Sequence, residues 1–218
     1  MNNEKKDFLK KLLNVTDLME SSPFRFSCFS MALKAARENS GRNLLTGRYE
    51  GNEISCEVVT NGLYESKMFT ATIMYLIILD QLGTIFKKGV FSKDESGIKV
   101  ALKSFSSIKT EKGKISAFKT LRNSLAHNFG LCSKEHKNDK DFYKFALLYS
   151  RDDKLIELGE KTHDFASKQD KFYTSIGVHS FCELVEETIA NLKAEIENGT
   201  AELIIEDIQE IKARFTVI

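Results

Sequence analysis

The chain is poor in residues that interrupt helices or form disulfide frameworks. It has one proline, Pro23, among 218 residues. Because proline removes an N–H donor and clashes with the preceding turn, its scarcity favours long helices. The four cysteines, Cys28, Cys56, Cys132 and Cys182, are scattered and form no Cys-x-x-Cys pair. We therefore expect free thiols in a reducing compartment.

A large net charge is also absent, since 32 Lys and Arg residues stand against 31 Asp and Glu residues. This balance excludes a strong overall basic field, so any contact with nucleic acid must come from a local patch. The apolar and charged contents are ordinary for a globular protein, and the length suits one well-buried core. We expect a single domain over residues 1–218.

An uninterrupted apolar run long enough to cross a membrane is missing. The most apolar stretch, residues 68–86, is broken by Asp80, Gln81 and Gly83, whereas a spanning helix needs about 20 apolar residues. The first six residues also lack the apolar core of a secretion signal. The sequence therefore predicts a buried core helix, no membrane contact and a cytoplasmic location.

Signatures of cofactor and metal chemistry are missing as well. The sequence contains no GxxxxGK[ST] phosphate loop and no acidic cluster with metal-ligand spacing, so we expect neither a cofactor nor a two-metal nuclease site. One alternative stays open. Cys132 with His136, and His179 with Cys182, have the spacing of two halves of a Cys2His2 zinc site, although Cys182 equally suits a small core residue.

Helical periodicity dominates what is present. Apolar residues at helical spacing predict six helices, over residues 7–21, 23–38, 64–87, 94–105, 113–128 and 176–197. A short strand is predicted over 54–59. Residues 142–158 have the pattern of a β-hairpin that turns at Arg151-Asp152-Asp153. The tail from 201 to 218 suits either a strand or a helix.

These elements predict a mainly α fold. We expect a helical bundle with a four-helix core over about residues 1–131, an appended β-hairpin over about 142–158, and a helical C-terminal region over about 170–218.

The segment from Lys114 to Phe129 separates into two faces when it is placed on a helix at 100° per residue. Its large apolar side chains share one arc, which we expect to face the core: Phe118, Leu121, Leu125 and Phe129. Polar and small side chains share the other side: Lys119, Arg122, Asn123, Ala126 and His127. A cation, an amide and an imidazole therefore project away from the helix's own core. A merely solvated face is the alternative.

The string Leu121-Arg122-Asn123-Ser124-Leu125-Ala126-His127 resembles the motif of the HEPN ribonucleases, an arginine followed by a polar residue and, after four to six intervening residues, a histidine. The preceding apolar stretch, Met68 to Gly83, is also similar to the long helix before the motif in bacterial members. The resemblance implies a four-helix bundle that dimerises through the motif helix, a metal-independent endoribonuclease activity, and a toxin–antitoxin or phage-defence setting with an antitoxin or other regulator.

The chemistry that these groups suit is cleavage by the RNA's own 2′-hydroxyl. One His127 accepts the 2′-OH proton and the partner's His127 protonates the leaving 5′-oxygen. Arg122 holds the scissile phosphate, and Asn123 orients His127 or the phosphate. The expected products are a 2′,3′-cyclic phosphate and a 5′-hydroxyl, and DNA is expected to be inert.

Basic residues surround the motif. Between residues 97 and 131 the sequence carries one acid, Glu111, and seven basic side chains: Lys99, Lys103, Lys109, Lys112, Lys114, Lys119 and Arg122. We expect Lys112, Lys114 and especially Lys119 to contact the RNA backbone. Residues 183–210 are acidic instead. Two other functions stay open: a non-catalytic module that binds RNA, nucleotides or a scaffold partner, and a protein-interaction domain that uses the acidic face.

Overall fold

Seven α-helices make up most of the part of the chain that the computed structural model describes, residues 3–16, 27–50, 62–135 and 138–215. The helices are α1 (Asn3–Leu13), α2 (Cys28–Asn39), α3 (Leu63–Ile85), α4 (Gly97–Phe105), α5 (Lys112–Asn128), α6 (Val178–Glu197) and α7 (Ile208–Phe215). The strands are β1 (Phe86–Lys87), β2 (Cys132–Ser133), β3 (Tyr143–Leu148), β4 (Tyr173–Gly177) and β5 (Glu202–Leu203). The mainly α prediction is confirmed, whereas the HEPN-like arrangement of the bundle stays a prediction.

Helix α3 is the centre of the core. It packs against α2, α4, α5 and α6, and Tyr75, Leu79 and Leu82 on it are fully buried. Its length and composition alone would allow it to cross a membrane, but 56% of its most apolar window is buried inside the protein. The expectation of a buried core helix is therefore confirmed.

Helices α3 and α4 approach each other so closely at two glycines that a side chain at either position would clash. A Cβ atom added at Gly83 would lie 1.8 Å from the Gly97 carbonyl oxygen, and one added at Gly97 would lie 2.0 Å from the Asp80 carbonyl oxygen. This contact lets the Ile98 N–H donate to Asp80 Oδ1 over 3.1 Å. The start of α4 is therefore fixed against the C-terminal end of α3.

The first two helices differ from the predicted bounds. Helix α1 ends at Leu13 rather than at residue 21, and the Asn14 side chain then accepts a hydrogen bond from the Thr16 N–H. Helix α2 begins after Ser27, whose hydroxyl accepts the Ser30 N–H and donates to the Leu12 carbonyl. Residues 17–26, with Pro23, and the predicted strand at 54–59 lie outside the described residues.

The predicted hairpin over 142–158 is wrong. Strand β3 pairs in parallel with β4 and antiparallel with β2, while Glu157 bridges to Ser175 of β4. The turn near Arg151 exists, because the Asp153 N–H donates to the Ser150 carbonyl. The segment after the turn lies antiparallel beside β4, where the Lys154 carbonyl accepts the Gly177 N–H over 3.0 Å, and a Cβ atom at Gly177 would obstruct this approach.

The C-terminal tail contains both a strand and a helix, the two alternatives that the sequence allowed. Strand β5 pairs antiparallel with β1, with Leu203 opposite Phe86, and α7 follows with Ile211 and Phe215 buried. Helix α6 also joins the main core, since Phe181 stacks on Phe118 of α5 with 5.1 Å between the ring centroids.

We expect Gly83→Ala to destabilise the protein by about 1–3 kcal/mol, because the added methyl group would force α3 and α4 apart. Urea denaturation followed by circular dichroism measures the free energy of unfolding. Gly113→Ala is the matched control, because its Cβ would meet only the flexible Leu158 side chain, at 3.0 Å. Equal stabilities of the two variants would show that the helix contact can relax at no cost.

Candidate functional site

Helix α5 orients the motif as the periodicity predicted for most positions. Phe118, Leu121 and Leu125 are fully buried. Arg122 is half-buried at the edge of this apolar face, where it contacts Asp80 of α3, and His127 is exposed. The apolar face therefore seats the helix, while the polar face stays open to a ligand or a partner.

Phe129 corrects that prediction, because its side chain is 74% exposed instead of buried. Helix α5 ends at Asn128, one residue before Phe129, and Phe129 adopts a left-handed backbone with φ of 49°. A bulky residue is strained there. Beyond it, the Gly130 N–H donates to the Ser124 carbonyl, and the Ser124 hydroxyl donates to the carbonyls of Gly130 and Cys132. The helix end is thus fastened while the phenyl ring points into solvent.

Arg122 is held by a carboxylate from the core helix. Its Nη2 donates to Asp80 Oδ2 over 2.6 Å, and its Nη1 donates to Asn123 Oδ1 over 3.1 Å. Asp80 is itself fixed, since Oδ1 accepts the Ile98 N–H. A guanidinium has five N–H donors, so one hydrogen on each terminal nitrogen remains for a ligand. The Nε atom is buried and has no hydrogen-bond partner among the described residues.

Asp80 is the site residue that sequence reasoning missed, since it was considered only as an interruption of an apolar run. The available signal was an acid that follows the long apolar run of α3, since a buried charge needs a partner. Periodicity cannot identify that partner, because Arg122 lies 42 residues further along the chain.

The other candidate residues lie at different distances from this pair. Asn123 contacts Arg122 rather than His127, and His127 forms no hydrogen bond or ion pair within the described ranges. Lys119 is half-buried one turn before Arg122. Lys112 and Lys114 lie at the start of α5, where Lys114 pairs with Glu111 over 2.5 Å. The structure therefore brings Lys119 close to the motif, and the other two lysines lie two to three helical turns away.

The possible zinc ligands are engaged in other ways. His179 Nε2 lies 2.5 Å from the Tyr64 hydroxyl, and burial, with the charges of Arg42 and Arg151, lowers the pKa of His179. Burial raises the pKa of the Cys182 thiol to about 12, which disfavours the thiolate that zinc requires.

His136, in the other half of the zinc pattern, lies outside the described residues. Among the residues that the structure describes, no group of three or more His, Cys, Asp or Glu side chains is placed to hold a metal ion.

Comparison of the chain with protein-family profiles, with curated proteins and with solved structures found no match. The function must therefore be inferred from the chain's own side chains. That the chain belongs to the HEPN ribonucleases, as the string Leu121–His127 suggests, stays a prediction.

His179 gives a pH-dependent contribution to stability whose sign follows from its pKa. The folded protein binds this proton less readily than the unfolded chain, whose histidine has a pKa of about 6.5. The free energy of unfolding therefore rises with pH from the lowered folded value up to about 6.5. As the pH falls from about 7.5 to 5, we expect the free energy of unfolding to decrease less in His179→Gln than in wild type. Thermal unfolding at several pH values measures this difference.

His163→Gln is the control, because that side chain is 85% exposed. If the His179 and His163 variants follow the same pH dependence as wild type, His179 makes no such contribution.

Proposed function

We propose that the protein is a metal-independent RNA endonuclease whose reactive groups are Arg122 and His127. The observation that supports this most is the contrast between the two side chains. Arg122 is oriented by Asp80 and Asn123 with donors left over, while His127, five residues further along α5, is exposed. An oriented cation can stabilise the charge on a phosphate, and an accessible imidazole can transfer one of the protons that phosphodiester cleavage by an internal hydroxyl requires.

Cleavage by general acid and base needs two proton-transfer groups, and each chain offers one histidine here. A symmetric dimer supplies the second, because an isologous interface duplicates every residue. The exposed Phe129 and Ala126 next to His127 give such an interface an apolar centre. We therefore propose a homodimer through α5 with a composite site.

The reaction balances with these groups alone. One His127 accepts the proton of the ribose 2′-hydroxyl as its oxygen attacks phosphorus. The P–O5′ bond breaks, and the partner's His127 gives its proton to the departing oxygen. Arg122 neutralises the charge that develops on the phosphate. The products are a 2′,3′-cyclic phosphate and a 5′-hydroxyl.

The biological setting follows from the resemblance and is part of the proposal. A ribonuclease of this kind in the cytoplasm damages its own cell when it is active, as in toxin–antitoxin or phage-defence systems. An antitoxin or other regulatory protein would therefore control it.

A non-catalytic role is the second candidate, favoured by the ion pair between Arg122 and Asp80. That pair partly neutralises the cation, as expected if Arg122 mainly holds helices together or binds RNA without cleaving it. The acidic C-terminal region is a poorer docking face than its composition indicates. Glu186 is paired with Arg37, Glu195 with Lys88, and Glu197 contacts lysines of α1.

We expect purified protein to cleave single-stranded RNA in EDTA, and His127→Ala to lower kcat by about 10²–10⁴-fold because it removes the proton-transfer group. Arg122→Ala removes the phosphate cation and should lower kcat comparably. Asp80→Asn keeps an acceptor for Ile98 but removes the charge beside Arg122, so a smaller loss is expected. Gel analysis of cleavage and end-group assays measure these effects.

His163→Ala is the matched control, since this exposed histidine lies outside the site. A substrate with one 2′-deoxyribose at the cleaved position should resist. Equal cleavage by wild type and both motif variants, or cleavage of the deoxy substrate, would rule out this mechanism. RNA binding without cleavage would select the second candidate.

The dimer is tested separately with Phe129→Asn. Asparagine tolerates the left-handed backbone, so the helix end is kept while the apolar ring is removed. We expect wild type to sediment as a dimer, and the variant to dissociate and lose cleavage. Val90→Ser is the control, because Val90 is fully exposed in a loop. A wild type that stays monomeric at working concentrations would contradict the composite site.

A further inference from the structure

Five basic side chains and three carboxylates cluster beside the motif, on α3, α4, α5 and the loop segments next to them. The basic residues are Lys99, Lys103, Lys119, Arg122 and Lys161, and the acids are Asp80, Glu95 and Glu135. Each acid has its own close cation. Asp80 binds Arg122, Glu95 binds Lys103, and Glu135 binds Lys161 over 2.9 Å.

Lys99 and Lys119 are the two cations of this group without a carboxylate at hydrogen-bond distance among the described residues. Lys99 Nζ is 3.9 Å from the nearest one, Glu135, which is too far for a hydrogen bond. Lys119 has no ion pair with any described residue. Burial, together with the charge of Lys119, lowers the pKa of Lys99. The two ammonium groups therefore repel each other, and an added anion between them would remove that repulsion.

The backbone places these two lysines directly next to the motif. Lys99 follows Ile98, whose N–H is bonded to the carboxylate that holds Arg122. Lys119 precedes Arg122 by one helical turn, which puts their Cβ atoms about 5–6 Å apart. Surplus positive charge therefore lies next to the guanidinium, on the same side of the protein.

We propose that Lys99 and Lys119 form a second phosphate subsite, which binds the phosphate adjacent to the one held by Arg122. This inference rests on the proposed ribonuclease function and deepens it by defining the substrate. The substrate is an oligonucleotide with a phosphate next to the scissile one, and a dinucleoside monophosphate, which has only the scissile phosphate, is a poor substrate.

The acids around the subsite fit this assignment. Burial raises the pKa of Glu135, but the hydrogen bonds from Lys161 and Ser116 outweigh burial and lower it overall. Glu135 is therefore charged, and its hydrogen bonds go to Lys161 and Ser116, so its ion pair with Lys99 at 3.9 Å leaves the N–H donors of that lysine open to another anion. The packing of α4 on α5 holds the two ammonium groups near each other. Without a bound anion their repulsion only destabilises the fold.

The first experiment measures binding without cleavage. A single-stranded DNA oligonucleotide lacks the 2′-hydroxyl and serves as an uncleavable probe. Each phosphate contact contributes about 0.7 to the slope of log affinity against log salt for single strands. We expect Lys99→Gln and Lys119→Gln each to weaken binding by about tenfold at low salt and to reduce the slope. Lys109→Gln, the same charge change beyond the far end of α4, should not.

The second experiment compares cleavage of a dinucleoside monophosphate with the same compound carrying an added 3′- or 5′-phosphate. We expect one of the added phosphates to raise kcat/KM about tenfold or more in wild type. In the Lys99→Gln, Lys119→Gln double variant this ratio should fall towards one. The ratio reports the added phosphate specifically, so a general loss of folding does not imitate the result.

The outcomes separate the two proposals. If wild type cleaves RNA but neither added phosphate matters and the lysine variants bind DNA like Lys109→Gln, the subsite is wrong and the ribonuclease proposal stands. If no RNA is cleaved but the salt slope depends on Lys99 and Lys119, the phosphate subsite stands as a binding site and the ribonuclease proposal fails.

Discussion

One carboxylate joins three helices of this protein. Asp80 projects from α3, accepts the N–H of Ile98 at the start of α4, and pairs with Arg122 of α5. Burial of a charge is costly unless a partner and hydrogen bonds compensate it, and Asp80 satisfies both conditions at once. The orientation of α5 and the position of its guanidinium therefore depend on the same contact. Any function of Arg122 is built on a structural ion pair.

The glycines Gly83 and Gly97 make that contact possible. Because they let the backbones of α3 and α4 touch, the first N–H groups of α4 reach the carboxylate side chain on α3. The same closeness places Lys99 near the motif helix. The missing side chains of these two glycines thus determine where the charged side chains of α3, α4 and α5 lie relative to one another.

Periodicity predicted the parts of the fold that depend on local sequence. The long apolar helix, the helix that carries the motif, and the buried positions of Phe118, Leu121 and Leu125 all follow from spacing along one element. The errors have non-local or end-specific causes. The partner of β3 is β4, about 30 residues away, and the spacing that put Phe129 on the core side assumed that the helix continued.

The site was predictable only to the same extent. The exposed position of His127 follows from helical geometry, whereas the half-buried position of Arg122 and the positions of Asp80 and Lys99 beside the motif depend on tertiary contacts. Net charge was uninformative, because the nearly neutral total conceals a local excess of cations beside α5.

The left-handed backbone at Phe129 has a consequence for how the chain responds to dilution. A residue with a side chain is destabilised by roughly 1–2 kcal/mol in this conformation, and in the single chain the largely exposed ring contributes little to offset that strain, which is left to the hydrogen bonds of the helix end. In the proposed dimer the ring is covered, so association tightens the end of α5 on which His127 sits. If Arg122 and His127 act as proposed, the activity of the site would then rise with the cellular abundance of the protein itself.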